Sequence, residues 1–250
     1  MKRLILIYFF SLCFNATAYK IHYISANKAK YVQLAGLAKY YGYRHQKMKN
    51  HKERLSSSAR NFIFSSKSKF FLEDETRLYL SYTPKMHQGN IYIHQNDFYQ
   101  FLDPLLRHKG VSPKQKAFRI LIDPGHGGRD SGTVGKQQNE KSLNLSLSLK
   151  LKKMLEELGY KVFLTRWSDR FPSFKERTGL IKKFNADLFI SIHHNAAGDR
   201  SVSGIETFHL TPRGGISSNG GKKARWGVTA GDPYSRESAL LAYAVHKQFA

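Results

Sequence analysis

Two rhythms of apolar and polar positions divide the chain. Before about residue 112 the predicted elements are short and rich in aromatic and β-branched residues. Residues 30–41 have helical spacing, with Val32, Leu34, Leu37 and Ala38 as apolar positions and Gly42 where a helix prefers glycine. Residues 61–64, 69–72, 77–82 and 90–94 read as strands between turn formers, and Gln88-Gly89-Asn90 is a turn signal. These elements predict a small α+β domain over 19–112. Beyond residue 118 strands alternate with helices instead. Strands are expected at 118–122, 161–165, 188–192 and 204–210, and helices at 140–158, 174–184 and 238–249. The first helix carries Leu143, Leu147, Leu151, Met154, Leu155 and Leu158 on one stripe and stops at Gly159. Repeated β-α-β units imply an α/β fold over 118–250, a doubly wound, mostly parallel sheet with flanking helices. Chemistry in such sheets collects at the carboxyl ends of the strands. Residues 107–117 have the composition of a connection, and the domain linker is placed at 113–117.

The first eighteen residues follow neither rhythm. Lys2 and Arg3 precede an apolar run from Leu4 to Phe14, and Ala16-Thr17-Ala18 supplies small residues for cleavage. That is the layout of a secretory signal peptide, and the run is short of the roughly 20 apolar residues of a membrane span. The single cysteine, Cys13, lies inside the run, so the processed chain is expected to be exported without disulfides or a membrane span. Composition then narrows the partners. With 41 Lys and Arg against 18 Asp and Glu, the formal net charge is +23, a field that attracts polyanions. Export and the lack of a recognition motif argue against nucleic acid, leaving the periplasm or cell wall and its anionic polymers. The cluster Arg44, Lys47, Lys49, Lys52 and Arg54 reads either as a solvated face or as a wall-binding patch.

The candidate chemistry follows the strands. After the first comes Asp123-Pro124-Gly125-His126-Gly127-Gly128-Arg129-Asp130-Ser131-Gly132, a tight loop that leaves an imidazole at the strand end. It fits neither the dinucleotide fingerprint nor the phosphate loop with its lysine. Glu140 opens the long helix, where a carboxylate also suits the helix dipole. His193 and His194 follow the strand at 188–192, and either could equally be a hydrogen-bonded core histidine. A doubly wound sheet brings these sites to one rim, and two His with one Glu form a catalytic zinc set with a fourth position left for water.

Over 118–250 the chain resembles the zinc-dependent N-acetylmuramoyl-L-alanine amidases of bacterial cell-wall remodelling. The landmarks are Ile122-Asp123-Pro124-Gly125-His126-Gly127-Gly128, Asn139-Glu140-Lys141, Leu164-Thr165-Arg166 with Asp169, Glu176-Arg177, Phe189-Ile190-Ser191-Ile192-His193-His194-Asn195-Ala196 and Ser203-Gly204-Ile205-Glu206. The resemblance implies zinc held by His126, Glu140 and His193, with Arg166 and Arg177 as structural arginines. It implies hydrolysis of the amide between the muramoyl group and L-alanine in peptidoglycan, with a protein activator as a further candidate partner. His194 stands where relatives carry a small residue and is expected to be a pocket neighbour, not a ligand.

Amide hydrolysis also needs a proton for the departing nitrogen. Relatives supply it from a glutamate on a strand after the last helix, which here would lie beyond Ala250 in a longer protein. A chain without that glutamate would be an impaired, zinc-containing wall-binding or regulatory protein. The in-chain alternatives are Asp123, Asp130 and, first among them, Glu206, although Asp123 and Asp130 suit turns and Glu206 could orient a ligand. The glycines from Gly214 to Gly231, with Arg213, Lys222, Lys223 and Arg225, read as a mobile loop on the active rim or a solvated connection.

Overall fold

The computed structural model describes residues 21–26, 29–107, 118–135, 137–199, 201–212, 215 and 234–249. The signal segment, the linker at 113–117 and, apart from Gly215, the glycine-rich loop lie outside the described residues. The chain forms two compact units, Met1–Ser112 with Ile205–Ala250, and Pro113–Gly204.

The first unit is built on antiparallel sheets. Strands β1 (Tyr23–Ala26), β2 (Ala29–Gln33), β8 (Lys85–His87) and β9 (Asn90–His94) form one sheet in the order β1-β2-β9-β8. Strands β3 (Arg44–Met48), β4 (Lys52–Ser56), β5 (Asn61–Ser65), β6 (Phe70–Glu73) and β7 (Thr76–Tyr79) form a five-stranded meander. Helix α1 (Leu34–Tyr41) follows β2 directly. The helix expected over 30–41 is thus shorter, because Tyr31 to Gln33 pair with β9. Gly42 does end α1, in a left-handed conformation with φ 77°. A helical segment then runs through α2 (Gln95–Asp97), a π-turn (Phe98–Leu102) and α3 (Asp103–Leu106). Phe62, Phe64, Phe71, Leu34, Leu37, Leu55 and Leu80 make a dry core.

The second unit is a βα-alternating sheet. Strands β10 (Arg119–Pro124), β11 (Lys161–Leu164) and β12 (Leu188–Ile192) are parallel in the order β11-β10-β12. Helix α4 (Glu140–Glu157) links β10 to β11, and α5 (Phe174–Phe184) links β11 to β12. The helices cover opposite faces. Ile120, Ile122, Val162 and Leu164 pack with Leu151 and Leu155 of α4, whereas Phe163, of opposite parity, stacks on Phe184 of α5 at 4.3 Å. That is a doubly wound α/β arrangement.

Three expectations change. Residues 204–210 form no strand but an irregular segment, and Gly204 at its start has φ 147°, outside the range of a strand. Helix α4 buries Glu140, Asn144 and Ser148 in its first turns, while Leu143 and Leu147 of the expected stripe are exposed. The helix start lies over strand ends and a loop whose backbone groups need polar partners, so polar side chains win there. Finally α6 (Ser235–Lys247), expected to close the α/β region, packs in the first unit. Ala239 joins the aromatic core, Arg236 pairs with Asp103 and donates to Tyr99 O at 2.9 Å, and Ser235 Oγ bonds Gln100 Oε1 at 2.6 Å.

Candidate metal centre

The site grows from the carboxyl end of β10. Asp123 there is not available for proton transfer. Its Oδ1 accepts from Thr165 Oγ1 and Arg177 Nη1, each at 2.6 Å, and its Oδ2 from Ser191 Oγ at 2.9 Å, so it ties all three strands together. Arg166, fully buried, donates to Pro124 O and Gly125 O at 2.9 Å and to Lys141 O at 2.7 Å. Burial and the nearby Arg177 lower its pKa. Arg177 reaches further and donates to His126 O at 2.8 Å. His126 adopts φ 62°, a conformation uncommon outside glycine, and this bond pins it there.

Pinned in this way, the His126 ring meets two carboxylates. Nδ1 lies 2.9 Å from Asp130 Oδ2 and Nε2 lies 3.2 Å from Glu140 Oε1. The same Glu140 oxygen is 3.0 Å from His193 Nδ1, and the two imidazoles stand edge to face at 4.8 Å. The structure therefore brings His126, Glu140 and His193 together, with one ligand atom from each within 4.8 Å of the others. Two glycines make room. A Cβ on Gly125 would lie 2.3 Å from His193 Cε1, and one on Gly132 would lie 2.5 Å from His126 Cδ2 and 2.8 Å from Glu140 Oε2.

Glu140 is buried yet held ionised. Burial by itself pushes its pKa up, but the N–H of Thr133 at 2.9 Å, the His193 ring, the N–H of His194 at 3.0 Å and the nearby His126 bring it down to about 2. His194 stays outside the trio. Asn144 commits its amide nitrogen to Gly125 O at 3.1 Å, so its oxygen accepts from Nδ1–H of His194 at 2.7 Å. Glu206 is exposed in the irregular segment of the other unit, and no hydrogen bond to the trio involves it among the described residues.

The donor set suits a divalent cation. Asp130, whose own pKa is lowered by His126 and by the N–H of Gly132, accepts a hydrogen bond from Nδ1–H of His126 and so leaves the Nε2 lone pair facing a carboxylate oxygen. Two lone pairs at that separation call for a cation between them. Tetrahedral zinc with bonds of about 2.0–2.1 Å would separate its ligand atoms by about 3.3 Å, close to the 3.0 and 3.2 Å found. Asp130 and Asn144 have supporting roles that the sequence reading did not assign. The available signals were spacing: Asp130 is four residues from His126, and Asn144 is one helical turn from Glu140.

Comparison with known proteins bears on the same region. The family described as N-acetylmuramoyl-L-alanine amidase matches residues 120–250. N-acetylmuramoyl-L-alanine amidase AmiC of Escherichia coli is 39% identical over 111 residues, covering 44% of this chain and 27% of that protein. LytC of Bacillus subtilis, also an N-acetylmuramoyl-L-alanine amidase, is 41% identical over 92 residues, covering 37% of this chain and 18% of that one. The solved catalytic domain of CwlV, from Bacillus (Paenibacillus) polymyxa, is 38% identical, with a TM-score of 0.32 over 32% of this chain and 47% of that one. The chain thus aligns with between 18% and 27% of the length of AmiC and LytC.

Proposed function

Since this chain belongs to the N-acetylmuramoyl-L-alanine amidase family, we propose that it is an exported zinc amidase that cleaves the muramoyl–L-alanine bond of peptidoglycan. The observation that carries this reading is the convergence of His126, Glu140 and His193 at one sheet rim. Zinc held by this trio would supply Lewis acidity, able to polarise an amide carbonyl and to activate water near neutral pH. The chain's own residues fix the geometry. Asp130 sets the tautomer of His126, the N–H groups of Thr133 and His194 keep Glu140 ionised, and Arg177 holds the strained backbone that aims His126 inward.

The test is metal content beside product analysis. The purified chain should hold one zinc per molecule, and His126→Ala or His193→Ala should remove it. With zinc bound and a proton donor present for the departing nitrogen, stem peptides bearing a free L-alanine amino terminus should appear from purified peptidoglycan. Unchanged zinc in both variants would count against the trio, and release of any other new terminus would count against the bond assigned. Export is supported by the leader-like first eighteen residues, and no helix among the described residues is long and apolar enough to cross a membrane. Growth of cells producing the full chain, followed by fractionation, would place the processed protein.

A second role falls to the first unit, where charge is sorted between the faces of the five-stranded sheet. Glu53 and Glu73 are buried on one face, bonded by the N–H of Ile91 and by Arg60 at 2.8 Å. On the other, Arg54, Ile63, Leu72 and Arg77 lie in one register row, flanked by Arg44 and Lys52. This basic face suits association with anionic wall polymers.

A further inference from the structure

The segment between β11 and α5 occupies the same rim as the trio; Arg166 and Asp169 brace the loop that carries His126, and the aromatic side chains between and beyond them do not. It begins with the buried Arg166 and then turns outward. Trp167 is 68% exposed, Phe171 38% and Phe174 87%. Three large apolar rings in eight residues, left open beside a polar site, are the kind of patch that marks a binding surface.

The segment is fixed, not loose. Asp169 accepts from the N–H of Gly128 at 2.7 Å and from Lys141 Nζ at 2.6 Å. Lys141 also donates to Gly128 O at 2.9 Å. The carbonyl of Arg170 sits so close to Gly127 that a Cβ there would lie 2.1 Å from it. Trp167 and Phe171 are therefore built onto the loop that carries His126, two residues from Gly128.

Charge on this platform is unbalanced. The guanidinium of Arg170 stands 5.4 Å from the Trp167 ring, and that of Arg129 5.0 Å from the Phe171 ring. Neither arginine lies within ion-pair distance of a carboxylate among the described residues; Arg170 donates from Nη2 to Thr165 O at 2.5 Å, and its Nε is buried with no hydrogen-bond partner. The local acids are already engaged: Asp169 by Lys141, and Glu176 by the N–H of Ser173 in the capping box of α5. What remains is an aromatic surface beside two cations, Arg129 the more exposed, with no carboxylate in ion-pair reach among the described residues.

We propose that Trp167, Phe171, Arg129 and Arg170 form a subsite for a glycan strand that carries carboxylates. The flat apolar faces of pyranose rings match the open indole and phenyl rings, and the carboxylates match the guanidinium groups. A polyanion without sugar rings would leave the aromatic residues unused. The proposal rests on the amidase reading, since in that substrate each muramoyl residue bears a lactyl group, a carboxylate once its amide has been cleaved. The subsite would hold the sugar chain while the neighbouring trio faces the amide.

The test uses sugars that lack the muramoyl–alanine bond, so its outcome does not depend on turnover. In the full chain carrying Trp226→Phe, Trp167 is the only tryptophan, and its fluorescence reports on the platform. Peptide-free oligosaccharides of alternating N-acetylglucosamine and N-acetylmuramic acid should quench it saturably. Chitin oligosaccharides of the same length, with no carboxylate, should bind about tenfold more weakly. Arg129→Gln should shrink that discrimination about threefold. In the otherwise native chain, followed by calorimetry, Trp167→Ala should weaken binding about tenfold and Trp167→Phe should restore most of it. Zinc content should stay at the native value in all three variants, which separates a lost subsite from a lost fold. No quenching by either sugar, equal binding of the two, or native affinity in Trp167→Ala would overturn the proposal. A chain that passes this test, and that holds zinc and a proton donor for the departing nitrogen, but releases no alanine-terminated peptide would instead overturn the amidase reading alone.

Discussion

The two units bury different things. The first closes over about twenty apolar side chains, phenylalanines and leucines foremost, and also buries the carboxylates of Glu53, Glu73, Asp97 and Asp103. The second has a compact apolar cluster around Ile120, Ile122, Val162 and Leu164. Beside it lies a buried polar column of Asp123, Glu140, Asn144, Ser148, Thr165, Arg166 and Arg177. One interior holds itself together by removing hydrocarbon from water. The other devotes much of its volume to hydrogen bonds that place three side chains. Its stability and its site geometry are therefore a single property, whereas in the first unit the core can change without touching the trio.

The largest effect should come from cutting that shared property. Arg177→Met leaves Asp123 buried without its cation and frees His126 O, and should destabilise the second unit by about 3–5 kcal/mol. Metal binding should fall with it. Phe62→Ala in the first unit should cost a similar ~3–5 kcal/mol while zinc stoichiometry holds. Urea unfolding followed beside metal analysis checks both, and loss of zinc in Phe62→Ala would break the contrast.

Acid should act on the two units in opposite senses. Asp97 is buried, accepts the N–H groups of Ser81 and Tyr82, and has its pKa raised to about 6 chiefly by burial. A raised carboxyl pKa favours folding most when the group is protonated in both states. Its contribution therefore declines as pH rises from about 4 through 6, by on the order of 2 kcal/mol. Glu140, held at about 2, works in the opposite sense. In the metal-free chain its contribution is present above the ordinary glutamate range and is lost as pH falls from about 4.5 toward 2. Amide exchange monitored separately in β9 and β10 should show opposite trends for these two groups, and Asp97→Asn should flatten only the first.

A smaller effect is expected at Asp130. Asn at this position can no longer accept the Nδ1 proton as an anion, and zinc affinity should fall about 10- to 100-fold with little change in unfolding. The smallest belongs to the basic sheet face. Arg54→Gln with Arg77→Gln should weaken binding to purified sacculi a few-fold in low salt and hardly at all at high salt, because exposed charges are screened. Salt-independent binding would remove the first unit's proposed role.

Legibility followed the same division. Strand positions in the α/β unit could be read because a parallel sheet covered on both faces needs continuous apolar runs, as at Ile120 to Ile122 and Leu188 to Ile190. The rim on which the trio lies could be read because strand ends converge there by topology, whereas the choice of His193 over His194 came from the family resemblance. The basic hairpin β3-β4 was harder. Arg44 to Met48 has one strongly apolar residue in five, and it pairs because β4 and β5 present a surface to pair with. Helix α4 misled through its leucines: the helical period was right, but which stripe faces inward depends on what lies opposite, here a loop of carbonyls at Gly125 and Lys141. The strand expected at 204–210 had the composition but not the neighbour.

Gly125 and Gly132, whose α-carbons lie against His193, His126 and Glu140, bear on how this sequence can drift. Every amino acid reachable from a glycine codon by one base change carries a β-carbon, so neither position has a silent route to a different residue. Leu143 and Leu147, on the open side of α4, have many such routes to residues of similar helix preference. Genetic variation should therefore collect along the outside of that helix and be absent from the two glycines, whatever the host.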